Sequence, residues 1–242
     1  MSKKKTAIFF DFGGTLMDYE SDRKAHTEMM RTFRDRYGVK ERVEELTGEL
    51  NRFIGTLNRK PPGKQLLLGR EIIRRSYDHV MGYLGLPSSE EEYLWFHQVY
   101  LEKHHTYLRL YPEAEGVLRA LWGKGLHVGL ISDIDHDFMT DALTRLGIIE
   151  YFDTLTSSEE AGAWKPDPRI FRLALSKAQC TGPEAIHIGD NLERDVNGAK
   201  NVGMTAIWFP NSPDASSDVP DYTIWNLSEI FEIMSDFGIS LH

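Results

Sequence analysis

The chain has 242 residues, more than the ~100 to 150 commonest for one domain, so it holds one large domain or two modest ones. With 41% hydrophobic residues it can bury a core, and a formal charge of −9, from 28 basic and 37 acidic residues, argues against nucleic-acid binding, which needs a net basic face. A single cysteine, Cys180, excludes an intrachain disulfide and points to a reducing, cytoplasmic compartment.

The N-terminus is basic and then apolar, but the apolar run TAIFF stops at Asp11, too soon for a secretory signal. No run approaches the ~18 apolar residues of a membrane span. TAIFF reads instead as a buried strand, followed by a turn-rich DFGGTL. Residues 18–105 then carry apolar residues at helical spacing: Met29, Met30, Phe33 and Tyr37, next Val43, Leu46, Leu50 and Phe53, next Ile72, Ile73, Tyr77 and Val80. This predicts successive amphipathic helices, with NRKPPGKQ (58–65) as a loop, the Met and aromatic stripe as local core, and His104 and His105 as surface residues. From about residue 106 strands and helices alternate. HVGLI, YFDTLT, AIHI and MTAIWF read as strands, with helical patterns after Pro112, around Phe138–Leu146 and after Pro168. The predicted fold class is therefore α/β, a parallel Rossmann-like sheet core from residues 1–17 and 106–242, with a helical domain, 18–105, inserted after the first strand.

In a parallel α/β sheet the carboxyl ends of the strands share one edge, and ligands bind in the crevice there. Four of the apolar runs deliver polar residues to that edge: Asp11 and Thr15, then Ser132 and Asp133, then Lys165, then Asp190 and Asp195. Each has a plain structural alternative taken singly; Asp190, for example, could cap the helix that NLERDV would form. Carboxylates, a hydroxyl and a lysine converging on one edge form a constellation.

These residues fall in four ordered motifs, DFGGTL, LISD, WKPDPRIF and GDNLERD, and with them the chain resembles the haloacid dehalogenase superfamily, made mostly of phosphohydrolases. The resemblance implies that Asp11 is a nucleophile forming an aspartyl phosphate on a small phosphorylated substrate. It implies that Asp11, Asp190, the Gly13 carbonyl and Asp195 hold Mg²⁺, and that Lys165, Thr15, Ser132 and Asp133 face the phosphoryl group. The helical insertion resembles the family's C1 cap, whose Arg31, Arg34, Arg52, Arg59, Lys60 and Lys64 are candidate contacts for an anionic substrate.

One position departs from the pattern. Most phosphatases of the family carry a second aspartate two residues after the nucleophile, and this chain has Gly13. A positioned acid and base of that kind contributes typically ~10² to 10⁴ in rate. Three readings follow: a phosphatase that is slow or takes its acid from Asp18, Glu20 or Asp22; a related chemistry, such as 2-haloacid dehalogenation or a phosphonoacetaldehyde hydrolase type with Lys60 or Lys64 as Schiff-base lysine; or a protein that binds a phosphorylated ligand with little turnover.

Overall fold

The computed structural model describes residues 4–58 and 66–239. In chain order its elements begin with β1 (Ala7–Phe10) and four helices, α1 (Tyr19–Tyr37), α2 (Val43–Asn58), α3 (Gly69–Tyr83) and α4 (Glu90–Tyr107). After α5 (Ala114–Leu121) come β2 (His127–Ser132), α6 (His136–Arg145), β3 (Thr154–Ser157), α7 (Ser158–Ala161) and α8 (Pro168–Lys177). The chain ends with β4 (Ala185–Gly189), a π-helical turn (Leu192–Asn197), α9 (Gly198–Lys200), β5 (Thr205–Trp208), β6 (Tyr222–Thr223) and α10 (Ile230–Asp236).

The chain divides into two compact units. One comprises Met1–Tyr19 with Arg109–His242, and the other Glu20–Leu108. These divisions fall a few residues beyond the 17/18 and 105/106 boundaries read from the sequence. The first unit is built on a six-stranded sheet in the order β3-β2-β1-β4-β5-β6, every pair of neighbours parallel. Long crossovers, helical except between β5 and β6, impose this, because parallel neighbours cannot be joined by a tight turn. Helices also cover both faces, which is why β1, and β4 apart from His187, are apolar runs buried at every position.

The strand order reverses beside β1: β2 and β3 lie on one side, β4 to β6 on the other. That reversal opens a crevice at the carboxyl edge, between the ends of β1 and β4. The ladder pairs Phe10 with both Leu130 and Ile188. The residues just past these, Asp11, Ser132 and Asp190, are thereby delivered to the same edge.

The helical unit has a core of its own, in which Met29, Met30 and Phe33 of α1 pack with Leu46 of α2, Tyr77 of α3 and Phe96 of α4. The three-and-four spacing read from the sequence is that of these buried faces. Helix α4 was not singled out by spacing, since its apolar residues lie all around its axis: Phe96 is buried while Leu94 is 58% exposed. The expectation for His104 is corrected, because it is 6% exposed, buried in the last turn of α4. Among the basic residues, Arg31 pairs with Glu28, Arg34 with Asp35, and Arg52 with Glu49, each with a neighbour on its own helix. Arg59, Lys60 and Lys64 lie outside the described residues. The short strand β6 was not read from the sequence either, two residues being too few to show a pattern. Among the described residues no helix is long and apolar enough to cross a membrane.

Candidate active site

Asp11 is the residue at which β1 ends. Its N–H donates to the Ile188 carbonyl at 2.8 Å, carrying the β1–β4 ladder one step further, and its side chain lies in a site that leaves the residue 6% exposed. The chain then folds back on itself. Leu16 and Met17 both donate N–H bonds to the Phe12 carbonyl, and the Gly14 N–H donates to the Met17 carbonyl at 2.9 Å. Gly14 is required for this loop. Its φ is +78°, and a Cβ there would come within 2.8 Å of Asp190 Oδ2.

Lys165 reaches the site from the loop between α7 and α8. Asp133, one residue past β2, holds that loop: its Oδ1 accepts the Lys165 backbone N–H at 2.8 Å. The Lys165 ammonium is buried, 2.6 Å from Asp11 Oδ1 and 2.5 Å from Asp195 Oδ1. Asp133 thus orients the lysine's backbone. Its Oδ2 also lies 3.8 Å from the Arg194 guanidinium, a cation the motif reading did not assign.

Asp190 and Asp195 come from the segment after β4. Asn191, not Asp190, caps the π-helical turn, its side chain accepting the N–H groups of Glu193 and Arg194. The capping alternative for Asp190 therefore fails, and its carboxylate turns to the site. There Oδ2 accepts from Asn211 Nδ2 at 2.8 Å, while the Asp190 carbonyl accepts from the Trp208 indole at 2.7 Å. Asn211 in turn accepts the Tyr111 hydroxyl proton at 2.8 Å. Asp195 crosses back over the end of β4, where a Cβ at Gly189 would lie 2.2 Å from its Cγ. Only glycine lets the carboxylate pass. Its Oδ2 accepts the Asn191 N–H at 3.0 Å, and its Oδ1 accepts from Lys165 and lies 3.2 Å from His187 Nε2.

Among the described residues, Asp11, Asp190 and Asp195 form the cluster suited to a metal, each offering an oxygen within 4.8 Å of the others. Burial pushes the Asp11 carboxyl upward, and the Asp195 and Asp190 charges add to the push while Lys165 opposes it. Asp190 is pushed up to about 6 by burial and by Asp195. For Asp195 burial acts the same way but is outweighed by Lys165 and His187, so it stays ionised well below the usual carboxylate range. Lys165 feels burial pulling it down, and Asp11 and Asp195 override that and hold it charged.

Three carboxylates against one lysine leave an excess of two negative charges in a buried site. A divalent cation with oxygen ligands removes that excess, and an all-oxygen donor set suits Mg²⁺ better than zinc. The residues present fit that ion. Ser132, at the end of β2, and Thr15, in the loop after Asp11, are both buried. The Thr15 hydroxyl has no hydrogen-bond partner among the described residues.

Besides Arg194, the residues the motif reading missed are His187, Trp208, Asn211 and Tyr111. His187 left a trace, a lone histidine in an otherwise apolar strand, two places before Gly189 and so on the same face of the sheet. Tyr111 and Asn211 left none, because they are a hundred residues apart and meet only in the fold.

Residues 5–203 match the family model for haloacid dehalogenase-like hydrolase. A phosphoserine phosphatase of Thermus thermophilus is 37% identical over 50% of this chain and 50% of its own length, so the chain matches about half of that relative. A glyceraldehyde 3-phosphate phosphatase of Pyrococcus abyssi is 30% identical over 84% of this chain and 80% of its own. Among solved structures, a 2-haloacid dehalogenase from Pseudomonas syringae superposes with a TM-score of 0.71 at 26% identity, covering 96% of this chain and 99% of that one.

Proposed function

The chain belongs to the haloacid dehalogenase-like hydrolases, and on that premise we propose that it hydrolyses a small phosphomonoester through an aspartyl phosphate on Asp11. The observation that carries this reading is the buried Lys165 ammonium bridging Asp11 and Asp195 inside an acidic cluster. A lone nucleophilic carboxylate would repel a phosphate dianion; this one sits beside a fixed cation and within a site fit for a second.

Mg²⁺ bound by Asp11, Asp190, the Gly13 carbonyl and Asp195 would supply charge neutralisation and polarisation of a phosphoryl oxygen. The remaining work falls to the chain's own groups. One carboxylate oxygen of Asp11 attacks phosphorus as the bond from phosphorus to the ester oxygen breaks, and that oxygen leaves with a proton. Water then attacks the phosphorus, passing a proton back to the group that protonated the leaving oxygen, the bond to Asp11 breaks, inorganic phosphate departs and the carboxylate is restored. Lys165 holds the nucleophile's charge and offers N–H donors to the phosphoryl oxygens, with Thr15 and Ser132 as hydroxyl donors. Asp133 fixes the lysine loop.

Gly13 supplies no proton to the departing oxygen. Of the three carboxylates considered for that task, Glu20 pairs with Arg23 and Asp22 faces His104, both within the helical unit, whereas Asp18 belongs to the same unit as Asp11. Asp18 directly follows the Gly13–Met17 loop, and its N–H donates to the Arg109 carbonyl at 2.9 Å. It is the group assigned here as proton donor.

The test is phosphate release from an aryl phosphate with Mg²⁺ and with EDTA, for the native chain, Asp11→Asn and Asp18→Asn. Mg²⁺-dependent release is expected, abolished in Asp11→Asn and reduced at least about tenfold in Asp18→Asn. Undiminished release by Asp11→Asn would end the covalent mechanism. Gly13 and the likeness to a dehalogenase favour one second reading, displacement of halide from a 2-haloacid. Halide release without phosphate release would establish it in place of the first.

A further inference from the structure

We infer that His187 is a positioning residue: its Nε2–H fixes the Asp195 carboxylate, and through it the Lys165 ammonium, against Asp11. His187 lies in the middle of β4, between β1 and β5, and is 1% exposed. Its Nε2 is 3.2 Å from Asp195 Oδ1. An ionised carboxylate only accepts, so the ring proton that makes this contact sits on Nε2. The ring stands edge-on to Phe171, with centroids 5.4 Å apart and planes at 89°, so one side of it is packed by an aromatic neighbour.

Packing alone does not account for a histidine here. Its neighbours along β4 and across the face it shares, Ala7, Phe9, Ala185 and Ala206, are apolar. Its Nδ1 has no hydrogen-bond partner among the described residues, and a buried polar atom left so costs free energy that a leucine would not. What the histidine adds is one directed donor. Asp195 receives three: Lys165 Nζ and His187 Nε2 on Oδ1, and the Asn191 N–H on Oδ2. Three donors from three directions fix the carboxylate plane. Without His187, Oδ1 keeps only the end of a flexible lysine, which follows the carboxylate when it turns. Lys165 would then keep Asp11 and the Asp133 hold on its backbone, but its place between the two carboxylates would loosen. The consequence for phosphoryl chemistry rests on the function proposed above, whereas the positioning itself does not.

The experiment compares the native chain, His187→Leu, which removes the donor, and His187→Gln, whose amide nitrogen can stand where Nε2 stood. Mg²⁺ affinity is measured by calorimetry without substrate, phosphate release at saturating Mg²⁺ in parallel, and the ring tautomer of the native chain by ¹⁵N spectroscopy. We expect a neutral His187 protonated on Nε2, a Leu variant at least as thermostable as the native chain, and Mg²⁺ binding by that variant weaker by about 10- to 100-fold. The Gln variant recovers most of that loss.

A proton on Nδ1 would overturn the inference. So would native Mg²⁺ affinity in His187→Leu, or equal impairment of Gln and Leu. Should His187→Leu fail to fold, the tautomer and the Gln variant decide. If the tautomer and the affinity pattern hold while no variant, nor the native chain, releases phosphate, the positioning stands and the proposed function falls.

Discussion

At Gly13 a β-carbon would meet only the Met17 Cε, at 3.8 Å, and the residue is not among the glycines with positive φ. Neither backbone nor packing therefore demands glycine there. Gly13→Asp is expected to fold normally and, with Asp18 already proposed as proton donor, to speed phosphate release by less than the ~10²- to 10⁴-fold that a positioned acid and base supplies; a slower enzyme would show that the open space is itself used. Gly189 is the opposite case, because its missing Cβ is the passage for Asp195. Gly189→Ala should lose phosphate release and Mg²⁺ binding together, and lower stability by about 1 to 3 kcal/mol, read from urea unfolding. Asp11, Lys165, Asp190 and Asp195 were legible because each follows an apolar run that ends at one sheet edge. His187 was not, since a single histidine in a strand reads as core until the residue that crosses above it is known.

At the scale of elements, the seam between the start of α1 and the end of α4 carries a titratable cluster. His104 donates from Nδ1 to the Tyr100 carbonyl, with 2.8 Å between the atoms, and its Nε2 lies 3.7 Å from Asp22 Oδ1. His26 stands 5.1 Å away, ring to ring, and hydrogen-bonds Asn51 of α2. Burial pushes His104 down to about 4, with Asp22 and the Tyr100 carbonyl pulling up and His26 and His105 pushing further down. Its folded value is thus below the ordinary ~6.5, and between the two values the unfolded chain binds more protons. This stabilisation is complete above pH ~6.5 and is lost as pH falls toward about 4, by at most about 3 kcal/mol. Urea midpoints measured against pH should fall over that window in the native chain and fall less in His104→Leu. An unchanged slope in that variant would place the effect elsewhere. Spacing could not foresee the burial of His104, because α4 carries aromatic and polar residues on every side, and only its partners show which side is inward.

For the whole molecule, the acidic cluster ties stability to metal. An ion that binds the folded chain alone raises Tm, by an amount equivalent to about 2.7 kcal/mol at a hundred times its Kd. Mg²⁺ should raise the Tm of the native chain, EDTA should reverse the rise, and Asp190→Asn should largely remove it; equal shifts in both proteins would move the ion to another place. The sequence by itself determined the architecture at this scale, a parallel sheet built from separated apolar runs with a helical block inserted after the first, because burial on both faces writes strands as continuous apolar segments and helices as three-and-four spacing. It also singled out Asp11, Lys165, Asp190 and Asp195, as motifs that each lie within one short stretch. Only the tertiary structure decided how they are held: Asp133 on the lysine's backbone, Asn211 and Trp208 on Asp190, and His187 on Asp195. The contacts of Asp133 and of Asn211 and Trp208 join segments that follow different strands, and that of His187 needs the turn after β4 to fold back over the strand; none of these hydrogen bonds leaves a period or spacing to read.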